Sequence, residues 1–335
     1  MFATNPIKAC RNIHNKSIIP AYKNSGLLES INFVVLGDPA IAASLGKKGT
    51  STDITIYDRK TAETVYTWTV PNTFPDKIQP LLQAVNIAEY AILNAAKLDK
   101  FLGEQILALD YAGVKDGFVL HSYEVDREKL KALLKNTSLA NYQFLDSVDE
   151  LKQVMAGLKP KGDDGPLMIP VDHAFDVKGV GTVVLGVVRQ GTVKVYDELT
   201  LLPSGKNILV KSIQMHDDPA ENAASPARVG LAVKGASADD ISRGDVLCAP
   251  GAAKVSSGAL SVKFVKSAFF RGDLVENQMY MLSAGMQIRP AKVKMVDDLL
   301  EITPEKPLVY QPRQSCMLLK PDSQSTRIIG KGTFQ

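Results

Sequence analysis

The sequence is poor in the residues that staple or metallate small folds. Its 335 residues hold three cysteines, Cys10, Cys248 and Cys316, and four histidines, His14, His121, His173 and His216. No two cysteines form a CxxC pair, which argues against a disulfide framework or a cysteine-rich metal site. The histidines share no ligand spacing, so no zinc is expected. Such cysteine usage suits a reducing, cytoplasmic setting. Long apolar runs are also missing. No stretch approaches the roughly 20 residues that span a bilayer, and no membrane partner is expected. Charge of one sign is nearly matched by the other, 39 Lys and Arg against 36 Asp and Glu, for a formal +3. That excess permits a nucleic-acid partner without requiring one. Residues 1–30 carry Lys8, Arg11, Lys16 and Lys23 but no continuous apolar segment. This argues against a secretory signal and reads as a loose N-terminal extension.

What is present is a change of texture. The length suffices for two or three domains with separate cores. Ile31–Leu36 is a continuous apolar run, as expected of a strand buried on both faces. Thr64–Val70 alternates and is rich in β-branched residues, the mark of a second strand. Pro80–Leu93 and Leu98–Gly113 read as a helix–strand alternation with Glu104–Leu109 helical, and Gly117–Leu120 as a further short strand. Asp126–Leu134 and Val148–Leu158 have amphipathic helical spacing. Strands alternating with helices predict a parallel sheet. "LKPKGDDGP", residues 158–166, is a linker. Beyond it helical spacing disappears. Residues 181–203 are β-branched and punctuated by glycine, with Gln190-Gly191 expected as a hairpin turn. "APGAAKVSSG", residues 249–258, is a second break before another all-β stretch from Leu260. These segments predict one α/β domain followed by two small barrels. "KGVGT", residues 178–182, has no helix after it and reads as a turn or bulge.

The second of these regions carries a likeness. A "D-x-x-F" start at Asp172, then "KGVGTVVLG", "G-x-V-K-V-x-D", "IQMH", "A-R-V-G-L-A-V-K-G" and "I-S-R-G-D-V-L" follow in order across residues 166–250. The run resembles the first β-barrel of elongation factor Tu and of the selenocysteine-specific factor SelB. Residues 255–335, with "SAGMQIRPAKVK" and "TRIIGKGTF", resemble the family's last barrel more weakly. The resemblance implies an α/β fold class. It consists of a parallel-sheet, degenerate P-loop GTPase-like domain over residues 31–160 and β-barrel domains over 166–250 and 255–335.

The first domain resembles the family's GTPase domain in order, not in chemistry. The family's phosphate loop, G-x-x-x-x-G-K-[ST], cradles phosphate on backbone N–H groups, neutralises it with lysine and holds magnesium with a hydroxyl. Laid on this chain it runs from Gly37 to Ser44, with Ala42 for the second glycine, Ala43 for the lysine and Pro39 lacking an N–H. "KGTSTD", residues 48–53, resembles the first switch, Ser51 standing for its magnesium-binding threonine. It follows the loop so closely that the intervening helix is expected to be missing. D-x-P-G-H becomes Thr69-Val70-Pro71-Asn72-Thr73, and N-K-x-D becomes His121-Ser122-Tyr123-Glu124. Gly37, Ser44, Ser51 and Glu124 are therefore the remnants of a nucleotide site. No catalytic residue and no cofactor are expected, and GTP with magnesium would be held weakly at most. His121, Ser122 and Glu124 are too close in sequence to form a hydrolase triad.

The resemblance also implies a tRNA or ribosome partner. Asp172 and His173, His216 and Arg228 match or rim the family's pocket for the aminoacyl end of tRNA. The plainer reading is a turn acid and surface histidines. Lys263, Lys266, Arg271, Arg289, Lys292 and Lys294 could form a phosphate-contacting surface on the last barrel, or a solvated face. Tyr, Phe and Met residues of both barrels are expected in the cores. Three functions remain open: a translation-factor homologue binding tRNA or the ribosome without competent GTP hydrolysis; an atypical, weakly GTP-binding factor that delivers a special aminoacyl-tRNA; and a non-enzymatic subunit that uses the barrels for protein contacts.

Overall fold

The computed structural model describes residues 28–335; Cys10, His14 and nearly all of the extension lie outside the described residues. The first domain is built on strands β1 (Glu29–Leu36), β2 (Lys47–Ser51), β3 (Ile54–Lys60), β4 (Thr64–Pro71), β5 (Tyr90–Ala95), β6 (Asp116–His121) and β7 (Gln143–Phe144). Its helices are α1 (Pro39–Leu45), α2 (Gln79–Val85), α3 (Lys100–Ala112), α4 (Arg127–Leu134) and α5 (Val148–Met155). The sheet runs β2-β3-β4-β1-β5-β6-β7. β4, β1, β5, β6 and β7 are parallel, whereas β2 and β3 form an antiparallel hairpin at the edge. β1 has no polar face because both faces are covered. Val34 and Leu36 pack under α2, α3 and α4, while Ile31, Phe33 and Val35 pack with Ile41 and Leu45 of α1 and Leu151 and Met155 of α5.

The second domain, the first of the two barrels, holds β8 (Met168–Val177), β9 (Gly181–Val187), β10 (Thr192–Lys194), β11 (Glu198–Leu202), β12 (Lys206–Met215), β13 (Asp218–Ala220), β14 (Asn222–Ala224), β15 (Arg228–Lys234) and β16 (Val246–Cys248), with β10 and β14 paired outside the barrel wall. The order β11-β16-β8-β9-β15-β12 closes through β11–β12 pairing, with β13 flanking β12. "KGVGT" is the turn between β8 and β9, as expected. The Gln190-Gly191 hairpin is not formed. β9 pairs with β8 and β15, and β10 pairs with β14, so the chain leaves the barrel wall there. Its physical reason is the bridge from Gln190 to Met168, which draws the segment back onto the start of β8.

The second barrel comprises β17 (Lys254–Val255), β18 (Leu260–Lys266), β19 (Met279–Ala284), β20 (Gln287–Val296), β21 (Leu299–Pro304), β22 (Val309–Tyr310), β23 (Ser315–Leu319) and β24 (Ile328–Phe334). Six of these, β18-β21-β20-β19-β23-β24, close the barrel, and β17 pairs with β22. Met317, Leu319 and Ile328 belong to the same buried cluster as Leu82, Ile106 and Leu109 of the first domain. Each such side chain contributes about 1.5–3 kcal/mol of burial, so the first domain and the second barrel share a core. At its edge Glu104 of α3 meets Arg327, whose Nε lies 3.1 Å from both carboxylate oxygens and whose backbone N–H donates at 2.8 Å. No helix among the described residues is long and apolar enough to cross a membrane.

Candidate functional site

As expected, no helix separates the aligned loop from "KGTSTD", because β2 begins at Lys47. The loop expected over Gly37–Ser44 is what the structure corrects. α1 is present, seven residues long, and occupies positions laid out as the loop. Asp38 caps it, accepting from Ala40 N–H at 2.8 Å, and Pro39 sits at the helix start, where its fixed φ suits the first turn and its missing N–H costs nothing. Gly37 survives for a backbone reason: φ is +99°, and a Cβ there would lie 2.1 Å from the Asn94 carbonyl oxygen. Gly46 ends the helix under Trp68, with no room for a side chain.

The remaining nucleotide-site remnants are satisfied within the chain. Ser44 Oγ donates to the Ile41 carbonyl at 2.7 Å. Ser51 Oγ lies 2.9 Å from Thr55 Oγ1, because the "KGTSTD" segment is an edge strand and hairpin turn. Asn72 replaces the glycine of the family's second motif. Its N–H donates to the Asp53 carbonyl at 2.8 Å, and its side chain donates to the Thr52 carbonyl at 3.0 Å and to Thr55 Oγ1. Glu124 accepts from the exposed Tyr123 hydroxyl at 3.2 Å. The loop it shares with His121 and Ser122 is tied to the end of β5 through Ser122 Oγ and the Ala96 carbonyl.

Three of the four aminoacyl-pocket candidates come together. Asp172 is buried on β8 and receives both guanidinium nitrogens of Arg228, NH2 at 3.2 Å. His173 Nδ1 lies 2.7 Å from Asp172 Oδ1. Burial alone would raise the Asp172 pKa, but Arg228 and His173 outweigh it and hold the carboxyl well below the usual carboxylate range. Arg243, which sequence reasoning missed, closes the group. Its Nε donates to the Asp172 carbonyl at 3.2 Å, and NH2 lies 3.4 Å from His173 Nε2. NH1 donates to both Asp53 oxygens at 2.8 Å. Burial would raise Asp53 as well, yet the Arg243 and Thr52 hydrogen bonds hold it below its ordinary value. With Nδ1–H on Asp172, His173 presents Nε2 as an acceptor to Arg243.

His216 stands apart from that group. It lines an open groove of ≈ 450 Å³ with Ser44, Gly46, Lys47, Asp58, Arg59 and Lys60. The groove thus lies where α1 and the β2–β3 hairpin face the β12–β13 turn. His216 Nδ1 is 3.5 Å from Asp58 Oδ1. Burial raises the Asp58 pKa against the opposing pull of His216, and Arg228 acts on the same carboxylate. Lys60 pairs with Asp218 across the groove. Arg59 lies over the Tyr66 and Trp68 rings, 5.4 and 5.5 Å from their centroids. Lys47, Asp58 and Arg59 were also missed: "KKGTS" has no apolar periodicity to announce a strand, and Asp58 and Arg59 lie at the polar end of β3.

The basic residues of the second barrel are dispersed. Lys292 and Lys294 are exposed on β20 and Lys263 on β18, with β21 and its Glu301 between those strands. Lys266 faces Asp273 at 3.3 Å, and Arg271 is exposed. Arg289 turns inward, 3.8 Å from Asp245 of the first barrel. Phe270, Tyr280 and Phe334 are core residues as expected, but Tyr196 and Phe269 are exposed.

Comparison with known proteins follows the same outline. Residues 181–248 match the family described as Elongation factor Tu domain 2. An uncharacterised protein of Methanocaldococcus jannaschii is 34% identical over 296 residues, 87% of this chain and 95% of that protein. The selenocysteine-specific elongation factor of the same organism is 27% identical over 263 residues, 70% of this chain. That match spans 55% of the factor's own length. Among solved structures, translation elongation factor SelB of Methanococcus maripaludis, in complex with the GTP analogue GppNHp, superposes with a TM-score of 0.79 at 22% identity. The superposition covers 92% of this chain and 80% of that one, a likeness of fold.

Proposed function

We infer function from one premise, that the chain belongs to the elongation factor Tu/SelB-like family. We propose that it is a translation-factor homologue that binds the aminoacyl end of a tRNA, or the ribosome, without competent GTP hydrolysis. The observation that carries the second half is the capped α1. A carboxylate of the chain itself takes the helix N-terminus, Pro39 offers no N–H, and Ala43 stands where a lysine would neutralise phosphate. A charge-assisted hydrogen bond contributes about 1.5–3 kcal/mol. Losing the lysine, the magnesium-linked aspartate and the switch contacts together removes about 5–9 kcal/mol, or about three to six powers of ten in affinity.

Calorimetry with GTP and magnesium should give no submicromolar binding. The Ala42→Gly/Ala43→Lys variant should stay equally silent, because Asp38 still caps the helix and no aspartate stands at Thr69. Submicromolar heats from the unmodified chain, or phosphate release stimulated by ribosomes, would instead support a delivering GTPase.

The seam groove is the place we assign to the RNA end. Lys47 and Arg59 supply positive charge, and His216 supplies a flat ring suited to a base. Lys263, Lys292 and Lys294 are left for backbone phosphates. Gel shifts with charged and uncharged tRNA should show binding that falls with salt, by about 0.7 log units per log unit for each single-strand phosphate neutralised. Lys47→Glu/Arg59→Glu should weaken binding at least tenfold and flatten that slope. Binding unchanged by the reversal would remove the groove from the interface.

A further inference from the structure

Arg243 reaches further than its own barrel. Its guanidinium joins the Asp172 carbonyl and His173 of β8 to Asp53 and Thr52 in the β2–β3 turn, and to Gln83 Oε1 of α2 at 3.3 Å. Gln83 in turn donates to the Met286 carbonyl of the second barrel at 3.1 Å. One side chain therefore stands where all three domains meet. A planar guanidinium with several donors fixes orientation as well as distance.

The hairpin that Arg243 grips carries one wall of the groove: Lys47, Asp58, Arg59 and Lys60. His216 on the opposite wall belongs to the first barrel. Only two other ion pairs join the hairpin to that wall among the described residues, Lys60–Asp218 and His216–Asp58. Lys60, Asp218, His216 and Asp58 are all partly exposed, so these pairs are weak restraints. The Thr52–Asp53 turn is also braced from behind by Asn72. A pull by Arg243 is thus transmitted to the end of β4.

The geometry points to Arg243 as a positioning residue, a latch that holds the β2–β3 hairpin on the first barrel and sets the width of the groove without a bound nucleotide. It deepens the reading of the groove as an RNA site, but its geometry stands apart from RNA binding and is tested apart from it. The other seam is held by Glu104–Arg327 and its shared core, and Arg243 reaches it only through Gln83. Loss of the latch should therefore free the hairpin end of one seam, whose other end keeps Arg189–Glu89 and Asn32–Pro226, and leave the Glu104–Arg327 core in place.

The test is single-molecule energy transfer on the full chain, with dyes on cysteines introduced at exposed sites after Cys10→Ser. One pair is Lys48→Cys with Tyr196→Cys, hairpin to first barrel. The other is Leu133→Cys with Phe269→Cys, first domain to second barrel. The unmodified latch should give one narrow distance for each pair, unchanged by GTP or GDP with magnesium. Arg243→Ala should broaden or lengthen the first distance and leave the second alone. The charge exchange Arg243→Asp/Asp53→Arg should restore it, which a general loss of folding would not allow. An unchanged first distance in Arg243→Ala, or a nucleotide-dependent shift in the parent chain, overturns the latch. Tight nucleotide binding without a shift would refute the nucleotide-free reading and leave the latch standing. A first distance that moves only on loss of Arg243 supports the latch whether or not tRNA binds.

Discussion

Arg327→Met should lower the stability of the unit formed by the first domain and the second barrel by about 3–5 kcal/mol, the usual cost of leaving one member of a buried ion pair alone. The side chains of Glu104 and Arg327 are 1% and 10% exposed. Removal of the guanidinium strands a carboxylate in the shared core, keeping one backbone N–H partner at 2.8 Å. It also leaves the Pro75 carbonyl without the donor now 2.6 Å away. Urea titration should show a lower midpoint with an unchanged slope, since the buried surface is the same. The double variant Glu104→Met/Arg327→Met should recover most of the loss, because two apolar side chains can fill a site that one uncompensated charge cannot. A single variant within about 1 kcal/mol of the parent would mean that the pair contributes no more than an exposed one.

The same pair shows where the sequence stops speaking. β1 was legible because burial on both faces writes an apolar run broken only by Asn32, whose side chain is hydrogen-bonded to Glu89 and Pro226, and the first barrel because its turns and alternation leave a pattern along the chain. Gly37 was legible as a glycine, although its reason is the Asn94 carbonyl rather than a phosphate. The edge strand β2 was not. Lys47, Lys48, Gly49, Thr50 and Ser51 face solvent on an edge and need no apolar period. α1 was obscured by the motif laid over it: Asp38-Pro39 is a helix start, a signal that the loop alignment hid. The seam residues were hidden for a different reason. Arg243 and Asp53 are 190 residues apart, Arg327 and Glu104 223. Spacing along the chain carries no record of such pairs. A local trace did exist for Glu104: it is three and four residues before Leu107 and Ala108, on the buried side of α3, where a charge requires a partner.

Asp172→Asn should cost about 3–5 kcal/mol near neutral pH, again by leaving a charge unmatched. Here the stranded group is Arg228, whose side chain is 17% exposed. The amide keeps the shape of the carboxylate but not its charge, and offers one accepting oxygen where two now meet the guanidinium and His173. The pH dependence separates this from a packing defect. The folded-state pKa of Asp172 lies below its ordinary value, so the unfolded chain binds a proton at a higher pH than the folded one. The stabilisation is complete above the ordinary carboxylate range and is lost as pH falls through the depressed folded pKa. The difference between parent and variant should therefore stay constant from about pH 7 to about pH 5 and narrow below about pH 4. Urea midpoints measured across that range give the comparison. A difference that persists undiminished at the acid end would assign the cost to lost packing and shape. A narrowing difference would place the ionised carboxylate at the centre of the Arg228–His173–Arg243 group, and the hold of that group on Asp53 would then depend on one buried negative charge.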